Sequence, residues 1–192
     1  MVDSIFSDIP VQYDNIVQAT KAIEFSMASD LQTGSLLKTL VASKPSGRIL
    51  ELGTGTGLAT SWIVDGMDKG TKLLTIENNE LLLDIARKAL QDARVEFVLA
   101  DGYTWIQNYQ GEKFDLIFAD AMPGKYELFE ETIGLVKQGG FYIIDDMLPQ
   151  PNWPEGHASK AERFIEELEK RKDVILTKLN WSTGIIIVSK LK

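Results

Sequence analysis

The sequence predicts an α/β fold built on a seven-stranded sheet, with five parallel strands followed by an antiparallel hairpin and with helices on both faces. Five short apolar runs alternate with helix-like stretches, which is typical of parallel strands joined by helices. The last two apolar runs, VILTKL and IIIVSK, are separated only by NWSTG. That connection is too short for a parallel crossover, so these two strands are expected to pair as an antiparallel hairpin.

Each predicted element follows from its own stretch of sequence. The five parallel strands are expected at 47–52, 72–77, 94–100, 114–120 and 139–146, where short runs are apolar on both faces. Helical patterns occupy about 57–68, 79–92, 102–109, 125–137 and 158–173, and two more lie within 11–43. The Pro-rich segment 147–157 is expected to be a loop and a candidate lid. We interpret residues 1–192 as one domain, with a helical cap at 1–46 and a cofactor-binding α/β core at 47–192.

Composition excludes several classes of function. The net charge of −8 and the pI of about 4.8 argue against a protein that binds nucleic-acid phosphates, which needs a basic face. We expect no membrane segment, because no apolar run is long enough, and the acidic start MVDSIFSDIPVQYD is unlike a signal or transit peptide. The chain has no Cys, which excludes disulfides, and a cytoplasmic location is expected.

Three glycines, Gly53, Gly55 and Gly57, follow the first predicted strand within ILELGTGTGLAT (49–60). Glycines allow unusual backbone angles and the close approach of a ligand, although such turns also serve tight packing alone. A nicotinamide dinucleotide site would show G-x-G-x-x-G, whereas Leu58 stands at the third glycine position of that pattern. The carboxylate of Glu51, just before the loop, suits a ligand that carries positive charge.

The stretch E-x-G-x-G-x-G resembles motif I of the class I S-adenosylmethionine-dependent methyltransferases. The predicted sheet, five parallel strands that end in an antiparallel hairpin, resembles the Rossmann-like seven-stranded sheet of the same enzymes. The resemblance implies S-adenosylmethionine as the cofactor. It further implies that the loop lies against the amino-acid part of the cofactor. The residues concerned are Glu51, Gly53, Thr54, Gly55 and Gly57.

Acidic residues follow the second and third predicted strands. Glu77 ends the second strand about twenty residues after the glycine loop, where a carboxylate can accept hydrogen bonds from both ribose hydroxyls. The alternative is that Glu77 is simply a solvated acid at the end of a strand. An acid at this position also binds the ribose of nicotinamide cofactors, so it does not distinguish the two cofactor classes. The resemblance implies that Asp101, followed by Gly102, reads the adenine amino group. Trp105 is expected either to cover the adenine or to belong to the core.

Three carboxylates follow the fourth and fifth predicted strands. Asp120 ends one strand, and Asp145 and Asp146 end the next. Because the carboxyl ends of neighbouring parallel strands meet at one edge of the sheet, these side chains are expected to lie close together. Like charges raise one another's pKa, and a divalent cation would relieve that conflict. Oxygen ligands favour Mg²⁺ or Ca²⁺ over Zn²⁺. Helix caps or solubilising loop acids are the alternative.

From about residue 30 to the final hairpin, the chain resembles the metal-dependent O-methyltransferases of the catechol and caffeoyl-CoA type. In that family the strand-four Asp and an Asp-Asn pair hold the metal, whereas Asp146 stands here at the Asn position. The family's Lys, three residues after Asp120, is replaced by Pro123. Lys125 is the nearest substitute, and Tyr126 keeps its expected position. The resemblance thus implies Asp120 and Lys125 as catalytic residues, with Asp120 also near the cofactor.

Four further residues are weaker candidates. His157 is the only histidine and is expected to be a surface or capping residue, with a role as base or substrate contact as the alternative. Trp153 is a candidate for the wall of an acceptor pocket. Met27 and Ser29 precede TGSLL and are expected to close over the cofactor, as the resemblance implies. A homodimer through the N-terminal helices is expected on the same ground.

Taken together, these features predict methyl transfer from S-adenosylmethionine to an oxygen of a small hydroxylated acceptor, assisted by a divalent metal. Three alternatives remain open. One is a metal-independent methyltransferase that acts on nitrogen or carboxyl groups. Another is a module that binds S-adenosylmethionine without catalysis, and the third is a nicotinamide oxidoreductase.

Overall fold

A computed structural model describes residues 8–151 and 153–192. The expectations that concern residues 1–7, in the acidic start and the helical cap, lie outside this part of the chain. One seven-stranded sheet has the strand order β3-β2-β1-β4-β5-β7-β6. The strands are β1 Arg48–Leu52, β2 Lys72–Glu77, β3 Val95–Leu99, β4 Phe114–Ala119, β5 Val136–Ile144, β6 Val174–Leu179 and β7 Ile185–Lys190.

The predicted topology is confirmed. Strands β1 to β5 pair in parallel, and β7 pairs antiparallel with both β5 and β6. The helices are α1 Tyr13–Ala22, α2 Leu31–Ala42, α3 Leu58–Gly66, α4 Glu80–Ala89, α5 Gly102–Asn108, α6 Phe129–Gly134 and α7 His157–Glu169. Within the described ranges, none of these helices has both the length and the apolar character needed to cross a bilayer.

The prediction for 125–137 is wrong in its extent, because the helix there covers only Phe129–Gly134. Gly124 and Leu128 both have positive φ, at 85° and 58°, and these angles interrupt a helical path. Strand β5 in turn begins at Val136 and not at 139. It contains Gly139 with φ of 72°, and its pairing with β4 shifts register after Phe114. A positive-φ glycine permits such an irregularity within a strand.

Side chains that alternate along the strands pack into two apolar layers, one on each face of the sheet. On one face, Leu50 and Ile117 pack with residues of α5, α6 and α7, among them Phe164. On the other face, Ile49 and Phe118 pack with residues of α2 and α3. Both faces of each central strand are therefore buried, which explains why the strand sequences are apolar throughout.

The strand order brings the carboxyl ends of β1 and β4 together at the centre of the sheet. The backbone N–H of Asp120 donates to the Leu52 carbonyl at 2.9 Å, and the Asp145 N–H donates to the Ala119 carbonyl at 3.2 Å. The loops that leave β1, β4 and β5 thus start side by side. This edge is where ligands bind in open α/β sheets.

The contact between α2 and α3 depends on a glycine. A Cβ at Gly34 would lie 2.3 Å from Cδ1 of Trp62. We expect Gly34→Ala to lower the free energy of unfolding by about 1–3 kcal/mol, because the buried indole has to move. Gly134, at the end of α6, has no atom within 4 Å of such a Cβ, so Gly134→Ala is the matched control. Chemical denaturation of both variants measures the difference, and equal stabilities would contradict it.

Candidate functional site

The glycine loop is a left-handed turn between β1 and α3. Gly53, Gly55 and Gly57 all have positive φ, at 97°, 53° and 94°. A Cβ at Gly53 would lie 2.6 Å from the carbonyl oxygen of Asp120. Glycine is therefore required for two reasons: all three positions have positive φ, and at Gly53 a side chain would collide with the end of β4. Gly53 and Gly55 are half-buried, so backbone without a side chain is partly accessible at the carboxyl edge of the sheet.

Glu77 fixes the shape of this loop. Its Oε2 accepts a hydrogen bond of 2.9 Å from the Gly55 N–H, and its Oε1 accepts from the N–H groups of Asn78 and Asn79. The carboxylate that the sequence assigns to the ribose is thus held at the end of β2. Oxygen atoms retain lone pairs for further donors, so this geometry is compatible with the predicted role.

Glu51 lies beneath the loop and is 0% exposed. Its Oε2 accepts hydrogen bonds from Thr75 Oγ1 at 2.6 Å and from Thr60 Oγ1 at 2.7 Å. Its Oε1 is buried and has no hydrogen-bond partner among the described residues. Burial, assisted by the charge of Glu77, raises the pKa of Glu51 to about 7. Thr54 shares a hydrogen bond of 2.6 Å with Thr75, which links this acid to the loop.

The segment before α2 reaches the same edge. The Ser29 hydroxyl donates to Asp120 Oδ2 at 3.0 Å. The ring of Phe25 lies over the loop, 3.4 Å from where a Cβ of Gly55 would be. Met27, by contrast, is 71% exposed. Ser29 is thus near the site as expected, while Phe25 was not identified from the sequence, since its spacing carries no signal.

Asp101 and Gly102 start α5 beside the β4 loop. Asp101 Oδ1 accepts from the N–H and hydroxyl of Thr104, both at 2.9 Å, and these bonds lower the pKa of its carboxyl. A Cβ at Gly102 would lie 2.7 Å from Cγ of Pro123. Trp105 stacks on Tyr109 with ring centroids 4.6 Å apart and packs against the core. This arrangement fits the expectation that Trp105 is a core residue, which was the alternative to its covering the adenine.

Asp120, Asp145 and Asp146 follow the neighbouring strands β4 and β5, and their charges influence one another. Desolvation and then the charge of Asp145 raise the pKa of Asp120 well above its ordinary value. Desolvation and then the charge of Asp146 raise the pKa of Asp145 to about 6. Lys125 opposes both shifts. The cluster is therefore a region of concentrated negative charge in which carboxylates disfavour one another's ionisation.

A backbone angle orients Asp146, and a side-chain hydrogen bond orients Asp145. Asp146 has φ of 56°, a left-handed angle that Asp tolerates better than most residues. Asp145 Oδ1 accepts a hydrogen bond of 2.8 Å from the hydroxyl of Thr183, in the turn between β6 and β7. The Met147 N–H donates to the Gly184 carbonyl at 3.0 Å in the same region. The hairpin thereby orients the acids of a different strand, a role for Thr183 that the sequence did not reveal.

Lys125 is a buried residue whose side chain lies beside the acid cluster. The residue is 4% exposed, and its Nζ lies 3.9 Å from Asp146 Oδ2. Tyr126, the next residue, has its pKa raised to about 12 by desolvation and then by the charge of Asp146. Sequence reasoning identified Lys125 as the substitute for a missing lysine. Its burial within the acid cluster is a result of the fold.

The three acids, as arranged, do not fit a divalent cation. Among the described residues, no group of three or more His, Cys, Asp or Glu side chains has a geometry that could hold a metal ion. One Asp145 oxygen is turned to Thr183, one Asp120 oxygen accepts from Ser29, and a buried ammonium stands beside Asp146. The predicted Mg²⁺ or Ca²⁺ site at Asp120, Asp145 and Asp146 stays a prediction.

Aromatic side chains border the acid cluster. His157, at the start of α7, lies between Trp153 and Tyr126, with ring centroids 4.4 and 5.2 Å away. Desolvation, followed by the charges of Lys125 and Lys160, lowers the pKa of His157. Trp153 is thus beside the site, as expected for a pocket wall. His157 is a packed residue at the same edge.

Comparisons with known proteins identify the family of the chain. The sequence model of a family described as O-methyltransferase matches residues 7–191. Catechol O-methyltransferase from Mycobacterium tuberculosis is 28% identical over 127 residues, which are 64% of this chain and 58% of that protein. The chain thus aligns with less than two thirds of that relative's length.

Solved structures show the same fold. An O-methyltransferase from Bacillus cereus, in complex with SAH (S-adenosylhomocysteine), has a TM-score of 0.82 and 25% identity, covering 100% of this chain and 95% of that one. The O-methyltransferase TomG from Streptomyces achromogenes, in complex with SAM, has a TM-score of 0.84 and 23% identity, covering 99% and 94%. The second likeness is one of fold alone.

Glu51 should make stability depend on pH. Its folded-state pKa of about 7 lies above the ordinary value of 4.5, so its contribution is fully present below pH 4.5 and is lost as pH rises through 7. From pH 5 to pH 8, we expect the wild type to lose about 2 kcal/mol more unfolding free energy than Glu51→Gln. Urea denaturation at both pH values measures this.

Glu96→Gln is the control, because Glu96 is an exposed strand residue of the same type. It should keep the pH profile of the wild type. If the Glu51→Gln profile also matched the wild type, the buried acid would not be the source of the pH dependence.

Proposed function

The chain belongs to the O-methyltransferase family, and from that premise we propose that it transfers the methyl group of S-adenosylmethionine to an oxygen of a small hydroxylated acceptor. The observation that carries the proposal is the bare glycine loop, with the orphaned oxygen of Glu51 beneath it and Glu77 bound to its backbone. A buried carboxylate oxygen without a partner calls for a donor. The ammonium of S-adenosylmethionine is a donor of the required charge.

The positions of the side chains support the remaining cofactor contacts that we propose. In this proposal the loop Gly53-Thr54-Gly55-Thr56-Gly57 lies against the methionine part, and Glu77 binds the ribose hydroxyls. Asp101 and Gly102 lie beside the adenine, and Asp120 borders the methyl group. Hydrogen bonds of Gly55 to Glu77 and of Thr54 to Thr75 hold the loop in shape, so we expect little ordering cost on cofactor binding.

The transfer itself needs an acceptor oxygen in line with the sulfonium methyl group. A bond forms between that oxygen and the methyl carbon, while the carbon–sulfur bond breaks and its electron pair stays on sulfur. The acceptor hydroxyl loses its proton to water, and the products are the methyl ether and S-adenosylhomocysteine. Positioning of the two partners supplies much of the rate in such a reaction. Lys125 and Asp120 are the proposed catalytic residues, since both border this edge.

A small aromatic acceptor is favoured by the rings around the acid cluster. Trp153, His157 and Tyr126 offer apolar faces next to charged groups, a combination that suits a phenolic hydroxyl on a flat ring. The name of the tuberculosis relative points to the same chemical class. The metal-assisted form of the reaction is a separate prediction, and no step proposed above passes through a metal.

Loss of the Glu77 carboxylate should weaken cofactor binding. We expect Glu77→Ala to reduce the affinity for S-adenosylhomocysteine by roughly 10- to 100-fold, the effect of removing hydrogen bonds to a charged group. Glu80→Ala is the control, since Glu80 is an exposed acid three residues away. Isothermal titration calorimetry measures both. Equal affinities in wild type and Glu77→Ala would remove Glu77 from the ribose site.

Methyl transfer is tested with radiolabelled S-adenosylmethionine and a panel of catechols and hydroxycinnamoyl esters. We expect label on an acceptor oxygen and one S-adenosylhomocysteine released for each methyl transferred. Label on nitrogen or carboxyl groups would favour the alternative enzyme class. Tight binding of S-adenosylhomocysteine with no labelled acceptor across a broad panel would favour a binding module.

A further inference from the structure

We infer that the Lys125 ammonium fills the position among Asp120, Asp145 and Asp146 that the sequence pattern assigns to a divalent cation. The acceptor oxygen would then be bound by an amine built into the chain. The claim about the acceptor rests on the proposed function. The claim about the cation does not, because it concerns only how this chain compensates its own carboxylates.

The backbone around Lys125 is built to hold it in this position. The Gly124 N–H donates to the Glu127 carbonyl at 2.8 Å, and the Gly124 carbonyl accepts from the buried hydroxyl of Tyr142. A Cβ at Gly124 would lie 2.8 Å from Cδ1 of Leu52, at the end of β1. The turn is therefore docked on the sheet through a glycine. Lys125 follows directly and extends into the acid cluster from a fixed point.

Pro123 explains why the cation comes from this position. The family's lysine would stand where Pro123 packs against Gly102, with no cationic group. The lysine is instead two residues later, beyond the glycine turn. Pro123 and Lys125 thus lie on either side of Gly124 in the β4 loop, one packed against Gly102 and the other beside Asp146.

Burial and charge argue that Lys125 compensates the acids. An ammonium that is 4% exposed is costly unless carboxylates surround it, and a group of carboxylates is costly unless a cation is present. The Lys125 charge opposes the raised pKa of Asp120 and of Asp145, which desolvation and neighbouring carboxylates still dominate, and its Nζ lies 3.9 Å from Asp146 Oδ2. A divalent ion bound to the same acids would stand close to a like charge. The ammonium and the metal therefore compete for one position.

The Lys125 ammonium also has N–H groups that can donate hydrogen bonds to an acceptor molecule. Its Nζ carries three hydrogens, and the 3.9 Å to Asp146 Oδ2 is too long for a hydrogen bond. Among the hydrogen bonds formed by the described residues, none involves this Nζ. An acceptor hydroxyl between Lys125 and Asp146 would accept a hydrogen bond from the ammonium and would donate a hydrogen bond to the carboxylate. As the methyl group arrives, the ammonium stabilises the negative charge that develops on that oxygen.

Mn²⁺ binding tests the cation claim without any turnover assay. Chelator-treated full-length wild type, Lys125→Ala, Lys125→Arg and Lys160→Ala are titrated with Mn²⁺, with free ion counted by electron paramagnetic resonance. Lys160 is the matched control, a nearby lysine that pairs with Glu127 at 3.4 Å outside the acid cluster. We expect Lys125→Ala to gain one site at least roughly tenfold tighter than any in the wild type, because the competing charge is removed. The other two variants should behave like the wild type.

Adding Asp146→Ala to Lys125→Ala should abolish the new site and so locate it. A wild-type site as tight as that of Lys125→Ala, and lost in Asp146→Ala, would overturn the inference. So would a Lys125→Ala protein that melts cooperatively but gains no site. Binding of S-adenosylhomocysteine is measured on the same samples. Its absence would remove the proposed function while leaving the result on Lys125 intact.

Discussion

The close approach of the β1 and β4 ends is the constraint on which the site depends. Gly53 fits against the carbonyl of Asp120 only because it lacks a Cβ, which would lie 2.6 Å from that oxygen. This contact sets the glycine loop beside the first acid of the cluster. Parallel pairing of β4 with β5 then aligns Asp145 and Asp146 at the same edge. The positions of the glycine loop and of the acid cluster are therefore consequences of one strand order.

The site also depends on how its buried carboxyl groups are paired with hydrogen-bond donors and with a lysine. Glu51 is buried with two threonine donors and one orphaned oxygen, and its pKa is raised to about 7. The acids at the β4 and β5 ends are desolvated around a buried lysine. Both arrangements place carboxyl groups where a cationic methyl donor is proposed to bind. Such sites are unfavourable for stability by themselves and acquire their partners on binding.

Segments distant in sequence complete the site. Ser29, ahead of α2, binds Asp120, and Thr183, in the final hairpin turn, binds Asp145. The antiparallel hairpin is therefore more than a sheet extension, because its turn orients an acid on a neighbouring strand. The rings of Trp153 and His157 close the remaining side.

Local sequence determined the elements, their order and the acids at the strand ends, because apolar runs, glycine spacing and a short final connection act over a few residues. The fold class, the hairpin and the positions of Gly53, Glu77 and Asp120 follow from such patterns. Only the tertiary structure decided that Glu51 is buried on Thr60 and Thr75, that the 125–137 helix is shortened, and that Lys125 stands inside the acid cluster. These outcomes depend on contacts between residues far apart in the chain and on desolvation, neither of which a local pattern encodes.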